Sequence, residues 1–578
     1  MKTKLLGITL LAFTAACIVA FRTNDQARSI PLSSKKKLVI RCGPDWDALK
    51  DWLEESDIPP MPGAGNYKWK ISTKSDSAQF YFNQGINMYY GFHIIEAMAS
   101  FKKAQKFDLN CGMLHWAEAL AYGPNINDLG YAAAPDALKA AGWAIESSGA
   151  TEKEEALIWA QRARYTGDST ESRETRDSLN QVYTDLMKVA YDAYPNDPDV
   201  ATLYADALML QHPWDLWNND GTPKPWTPLI RQVLEKVLAK TPNHPGANHY
   251  YIHVMEASPY ADKALASADR LGRLSPGLSH IVHMPSHIYL REGQYDKGIS
   301  VNLAAVKSYE KYIPLFPAVA GSNFLYSIHN LHMQTNHAML AGRLAASRLY
   351  AQQTQESIPA EYLGIPGALG NTIQYIYMTP ALVNVRFGEW GTILEGPQPK
   401  NELSYASALY HFAMGMAKSA QSRVDDAKEE LKEMEHYMKD SVLLIPLSPF
   451  SAAIEAANVA RDMLAGAIAM KENKFEDAIA LFKEAVAMEE SMVYDEPRDW
   501  LLNPKHWLAN AYIKAGEYDN AEKTLQADLR NNKENGWALF GLYQALKAQK
   551  KTVDAAKMLA RFKKALSKAA VKLYGPVF

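Results

Sequence analysis

Two pairs of histidines, one repeat apart, are the residues of this chain best suited to chemistry. His249 and His253 lie in Asn-His-Tyr-Tyr-Ile-His-Val-Met-Glu (248–256), and His283 and His287 lie in His-Ile-Val-His-Met-Pro-Ser-His (280–287). Each member of the first pair has its counterpart 34 residues on, a period that belongs to helix–turn–helix repeats. Within a pair, the spacing of four puts both rings on one helix face, with Cβ atoms ~5–6 Å apart. Imidazole nitrogen suits Zn, Cu, Fe or Ni, and a catalytic ion held by about three protein ligands keeps a position open. Glu256, three residues after His253, is a candidate further ligand, orienting carboxylate or general base and is taken as the candidate catalytic residue.

Nine of the fifteen histidines fall between His244 and His337, so the clustering is local and not a matter of composition. Units starting at Pro245 and Ser279, and a third placed by Gly342, put His280 and His329 at position 2, His283 and His332 at position 5, and Asn336 at position 9. His280, His329 and His332 therefore join the candidate ligands. Tyr250, Asn336, Trp214 and Trp217 are the candidate walls of a ligand groove. Met284 and Met333 follow position-5 histidines, a weak pointer to copper. The competing readings are a polar seam satisfied by Tyr, Asn and backbone groups, and a metal-free groove for a peptide or protein.

The elements that must position these residues show a regular grammar. Gly85, Ala97, Phe101 and Ala104 have separations of 12, 4 and 3, as do Gly415, Ala427, Leu431 and Met434, and Gly466, Ala478, Phe482 and Ala485. Small residues at those offsets let two helices of a hairpin cross closely. Tyr512, Gly516, Tyr518, Ala521 and Leu525 supply a further unit. Pro242 and Pro276, 34 apart, each end a second helix. Over roughly residues 78 to 567 the chain resembles the tetratricopeptide superfamily, which implies an all-α, right-handed superhelical solenoid of helix–turn–helix repeats with its first-helix residues facing a concave groove. Gly-Pro-Asn-Ile-Asn (123–127), His-Tyr-Tyr-Ile-His (249–253), His-Met-Pro-Ser-His-Ile-Tyr (283–289) and Tyr-Asp-Glu-Pro (494–497) further resemble a family of exported bacterial tetratricopeptide proteins. That resemblance implies the fold and no activity.

The expected organisation is a signal or anchor (1–21), a tether and leading segment (22–75), amino-terminal repeats (76–242), central His-rich repeats (243–345), carboxy-terminal and capping repeats (346–567) and a tail (568–578). Loops are expected at His212–Pro228, Ile313–Ser322 and Ser357–Gly370, where insertions leave a solenoid.

Lys2 and Lys4 precede an apolar run from Leu5 to Phe21, the pattern of an export signal. Thr14-Ala15-Ala16-Cys17 resembles a lipoprotein box with Cys17 as the acylated residue, while a cleaved signal and an uncleaved anchor stay open. All three place the body outside the cytoplasm, periplasmic or anchored at the envelope, with the membrane touched only through the amino terminus. Cys42 and Cys111 either pair there or remain buried thiols. A formal charge of −3 argues against nucleic acid as a partner, which leaves a peptide, protein or small molecule. Tyr250 directly after His249 excludes the zincin motif, and G-x-S-x-G, G-x-x-x-x-G-K-[ST] and C-x-x-C are absent.

Overall fold

A computed structural model describes residues 44–578 except 56, 129–130, 317–323, 497–499 and 570. Cys17, Cys42 and everything before residue 44 lie outside the described residues, as does most of the expected loop at Ile313–Ser322. The described chain is all α, with only two isolated bridges, Trp217 to Pro223 and Pro446 to Ala452. Consecutive helices form antiparallel hairpins stacked in order, from Asp76–Tyr89 with Ile94–Gln105 to Gly536–Ala548 with Thr552–Ala565. No described helix is long and apolar enough to cross a membrane.

Local sequence explains the helix ends. The Ser75 hydroxyl accepts from Ala78 N at 3.3 Å to start Asp76–Tyr89. Pro245 sits in the first turn of Pro245–Glu256, where a missing N–H costs nothing, and His244 Nδ1 accepts from Ala247 N at 3.1 Å. Ser279–His283 and Pro285–Arg291 are joined by Met284 in right-handed helical conformation (φ −49°, ψ −36°). The chain thus stays helical through Pro285, and His280, His283 and His287 keep helical spacing. Phe324–Leu340 ends at Gly342, whose φ is +68°, the left-handed turn that glycine adopts without strain.

The glycine grammar acts through close packing. A Cβ on Gly85 would strike the Phe101 ring, and one on Gly466 would lie 2.6 Å from the Phe482 ring. Gly415 works differently: its close neighbour is Leu464 of the next hairpin, at 2.6 Å from such a Cβ, and Leu431 is only half-buried. One apolar core runs from Leu49 to Tyr289 with Phe316, unbroken across residue 242, and a second runs from Met339 to Leu573. Later hairpins return onto the central repeats. Lys533 N donates to Arg291 O at 3.2 Å, Lys533 Nζ meets Glu292 at 2.8 Å, and Trp537 Nε1 donates to Met339 O at 3.3 Å. Gly466→Val is expected to lower stability by about 1–3 kcal/mol through overpacking, read as a fall in the urea midpoint with an unchanged slope; a neutral effect would show that the hairpin does not cross tightly there.

Candidate metal centre

Six imidazoles converge between the first two His-bearing helices and the start of the third. His249 Nε2 lies 3.1 Å from His253 Nε2 and 3.1 Å from His280 Nε2. His283 Nε2 lies 2.7 Å from His287 Nε2 and 3.0 Å from His329 Nε2. In each triad the three nitrogens fall within 4.8 Å of one another. Five rings are buried, whereas the His329 side chain is 22 % exposed, so the second triad is the one with access.

The far side of three rings is hydrogen-bonded. His249 Nδ1 donates to Tyr90 O at 2.6 Å and His283 Nδ1 to Asn302 Oδ1 at 2.6 Å, while Asn302 Nδ2 donates to Gly298 O. His253 Nδ1 donates to Glu256 Oε1 at 2.8 Å. His287 Nδ1 lies 3.0 Å from Glu256 Oε2, in charge contact but out of line for a hydrogen bond. The Tyr494 hydroxyl donates to the same Glu256 oxygen at 3.1 Å. A carbonyl, amide oxygen or carboxylate on Nδ1 selects the Nδ1–H tautomer, which leaves Nε2 as a bare lone pair. In the second triad this leaves the His283 lone pair facing His287 Nε2 at 2.7 Å. Backing of Nδ1 by carboxylate or carbonyl is how metal-bound histidines are usually held.

A second carboxylate faces both triads. Glu496 Oε1 is 3.3 Å from His253 Nδ1, and Glu496 Oε2 is 3.6 and 3.7 Å from His287 Nε2 and His329 Nε2. His253, Glu256 and Glu496 form a third group with metal-ligand spacing.

Two aromatic rings shield the first triad, both set by unusual backbone. Phe92 (φ +57°) places its ring centroid 4.6, 6.0 and 5.6 Å from those of His249, His253 and His280. Trp214 (φ +64°) stands edge-on to His253 at 5.3 Å. Left-handed conformations cost non-glycine residues roughly 1–3 kcal/mol and cluster at functional sites.

Burial sets the charge state. Loss of water, reinforced by neighbouring imidazoles, holds His249, His280 and His329 well below the ordinary histidine range. Burial, with a further contribution from His287, lowers His283 to about 3, and burial lowers His287 to about 4. Burial also pushes His253 down, but the carboxylates of Glu256 and Glu496 outweigh it and raise that ring to about 9. Burial and the Glu256 charge push Glu496 up. Five of the six rings are therefore neutral at pH 7, the state that binds metal.

The other expected site residues part company. His332 does not join the convergence; the Phe324–Leu340 helix meets the hollow at His329, and its next turn turns His332 toward Tyr375, 6.0 Å between centroids. Tyr250 is core rather than groove, buried between Tyr90 and Phe92 at 6.3 and 5.9 Å, because adjacent helical residues point ~100° apart. Trp217 is buried, its indole N–H donating to Val254 O at 2.6 Å, yet with Trp214 it edges a cleft of about 880 Å³ that reaches Tyr494. Asn336 borders a small cavity of about 50 Å³ with Arg291 and Tyr494. Met284 and Met333 sit in apolar cores, so neither carries the copper pointer. Cys111 is buried with its thiol 3.9 Å from Ser72 Oγ. Glu496, Tyr494, Phe92 and Asn302 were not among the expected site residues; Tyr-Asp-Glu-Pro (494–497) was the only visible signal for the first two.

Fold and site together define an all-α array of helical hairpins with an imidazole-lined hollow. The tetratricopeptide repeat family model matches residues 507–536, within the hairpin of Pro504–Ala515 and Tyr518–Asn531. No curated protein matches the sequence. Among solved structures, the human IFIT1 dimer with m7Gppp-AAAA is 12 % identical, covering 86 % of this chain and 91 % of that one, with a TM-score of 0.29. Yeast Tom70 is 12 % identical over 86 % and 93 % (TM-score 0.28), and the APC/C hetero-tetramer Cut9–Hcn1 is 12 % identical over 91 % and 79 % (TM-score 0.30). At such scores no function transfers from them.

The ring charges fix a pH dependence for the metal-free protein. Five rings have folded values below the ordinary ~6.5, so the unfolded chain binds more protons as pH falls below that point and stability is lost downward. His253 has the opposite sign: its contribution is full below ~6.5 and lost as pH rises through about 9. Thermal unfolding between pH 4 and 9 is expected to show the midpoint falling from pH 7 to 4, less steeply in His287→Gln. A midpoint independent of pH below 6.5 would show that the rings are not held neutral.

Proposed function

We propose that this chain is a metalloprotein whose two histidine triads hold a pair of transition-metal ions, with Glu496 between them and Glu256 orienting His253 and His287. The observation that carries this reading is the convergence of six Nε2 atoms in two triads, with Nδ1 of His249, His253 and His283 each held against an acceptor. The donor set is neutral imidazole without thiolate, which suits Zn, Cu or Fe. A metal ion held by three imidazoles supplies a Lewis-acid or redox centre with an open coordination position, so the reading extends to an enzyme acting on a small molecule. Glu256 fits the role of positioning residue better than that of general base, because both its oxygens already serve imidazole and phenol groups. The competing picture is a metal-free scaffold that takes a partner in the cleft edged by Trp214, Trp217 and Tyr494. We also propose that the body acts outside the cytoplasm, on the strength of the Lys2–Phe21 pattern.

Protein purified without a histidine tag and dialysed against Zn(II), Cu(II) or Fe(II) is expected to retain two ions per chain by plasma mass spectrometry. His249→Ala and His283→Ala are each expected to lose one, and the His253→Ala, His287→Ala double variant both. Glu256→Gln should keep the stoichiometry and weaken affinity about 10–100-fold. Retention of no ion by a folded wild-type chain would sink the proposal.

A further inference from the structure

A second buried polar cluster forms within the amino-terminal repeats, apart from the six imidazoles. Arg164 follows the helix Glu152–Ala163, Tyr183 belongs to Arg173–Ala193, Asp206 to Pro198–Gln211 and Tyr250 to Pro245–Glu256. All four are 1 % exposed or less. Arg164 Nη2 donates to Pro124 O at 2.7 Å, and the guanidinium lies over the Tyr183 ring, 4.5 Å from its centroid. A Cβ on Gly123 would come within 2.5 Å of Arg164 Nη1, so glycine there lets the Gly-Pro-Asn-Ile-Asn segment (123–127) close over the guanidinium. The charges of Arg164 and Asp206 act on each other, yet no hydrogen bond joins them. Arg164 Nε and Nη1, both Asp206 oxygens and the Tyr183 and Tyr250 hydroxyls have no hydrogen-bond partner among the described residues. Buried polar atoms in native proteins are met by protein, water or ligand.

We propose that this cluster binds a small monovalent anion, a halide or a planar oxyanion, held by Arg164 and the hydroxyls of Tyr183 and Tyr250. Charge favours an anion over water alone, because water meets hydrogen bonds while a buried guanidinium without an ion pair stays costly. The same guanidinium disfavours a cation. Burial on every side limits the ligand to a few atoms. Burial, against the pull of the Arg164 charge, pushes the Asp206 carboxyl up to about 7, so near neutrality it takes a proton and donates to the anion instead of repelling it. The other titratable groups that face Asp206 are the phenols of Tyr89, Tyr183 and Tyr250. The helix Thr227–Lys240, packed against that of Asp206, buries no titratable side chain. None of this depends on the metal reading.

The test is thermal unfolding of the full chain at fixed ionic strength, with bromide, nitrate or formate replacing gluconate, a six-carbon anion that a closed site excludes. The midpoint is expected to climb with the logarithm of anion concentration, at unchanged metal content; the order of bromide against nitrate and formate tells halide from oxyanion. Arg164→Gln is expected to weaken the response at least tenfold. Tyr183→Phe and Tyr250→Phe are expected to weaken it several-fold while leaving stability in gluconate unchanged, since their hydroxyls lack partners there. Affinity is expected to fall about tenfold from pH 6 to pH 8 as Asp206 ionises, and to lose that dependence in Asp206→Asn. Crystals grown in bromide are expected to show an anomalous peak among Arg164, Tyr183 and Tyr250. No peak there would mean ordered water alone and overturn the site. An undiminished response in both folded tyrosine variants would overturn it as well.

Discussion

Glu256 is a carboxylate with no solvent exposure, and the central part of the molecule is arranged around keeping it there. An ionised group out of water costs several kcal/mol unless its lone pairs are met. Here they are met by His253 on its own helix and by Tyr494 from a segment 238 residues away in sequence, with His287 of the next hairpin in close contact. One buried charge thus ties two successive hairpins to the later half of the array. It also fixes the orientation of the His253 ring, so the constraint that closes the fold helps to aim the site.

The surroundings divide the hollow into a sealed side and an accessible side. Phe92 and Trp214, each in a strained left-handed conformation, cover the first triad. The second triad has the part-exposed His329 and an apolar cavity beyond it. Sealing deepens the loss of water that keeps five imidazoles neutral, and neutrality would suit them to be ligands rather than mutually repelling cations. The proposed pair of ions would therefore be strongly held on one flank and reachable on the other.

Much of the fold was readable because its signals are local. Gly85 with Phe101 and Gly466 with Phe482 mark close helix crossings through steric demand alone, and proline and glycine mark helix ends through backbone geometry. Gly415 marks the same spacing, yet its tightest neighbour is Leu464 of the next hairpin, since small residues announce close packing without saying against what. The same limit governs the site. His249, His253, His283 and His287 were visible because a 34-residue period carries a helix face onto its neighbour, whereas His332 shared the register and still turned toward Tyr375.

What the chain alone determined, then, is that helical hairpins stack and that four imidazoles repeat in step, since period and steric size depend on neighbours in sequence. Only the tertiary structure decided that there are two triads rather than one group, that Glu496 and Tyr494 enter from the far half, and that Tyr250 is core and His332 lines a cavity. Those outcomes depend on where the array returns upon itself. That return is set by the sum of many contacts such as Lys533 with Arg291 and Trp537 with Met339, none of which leaves a periodic trace in the sequence.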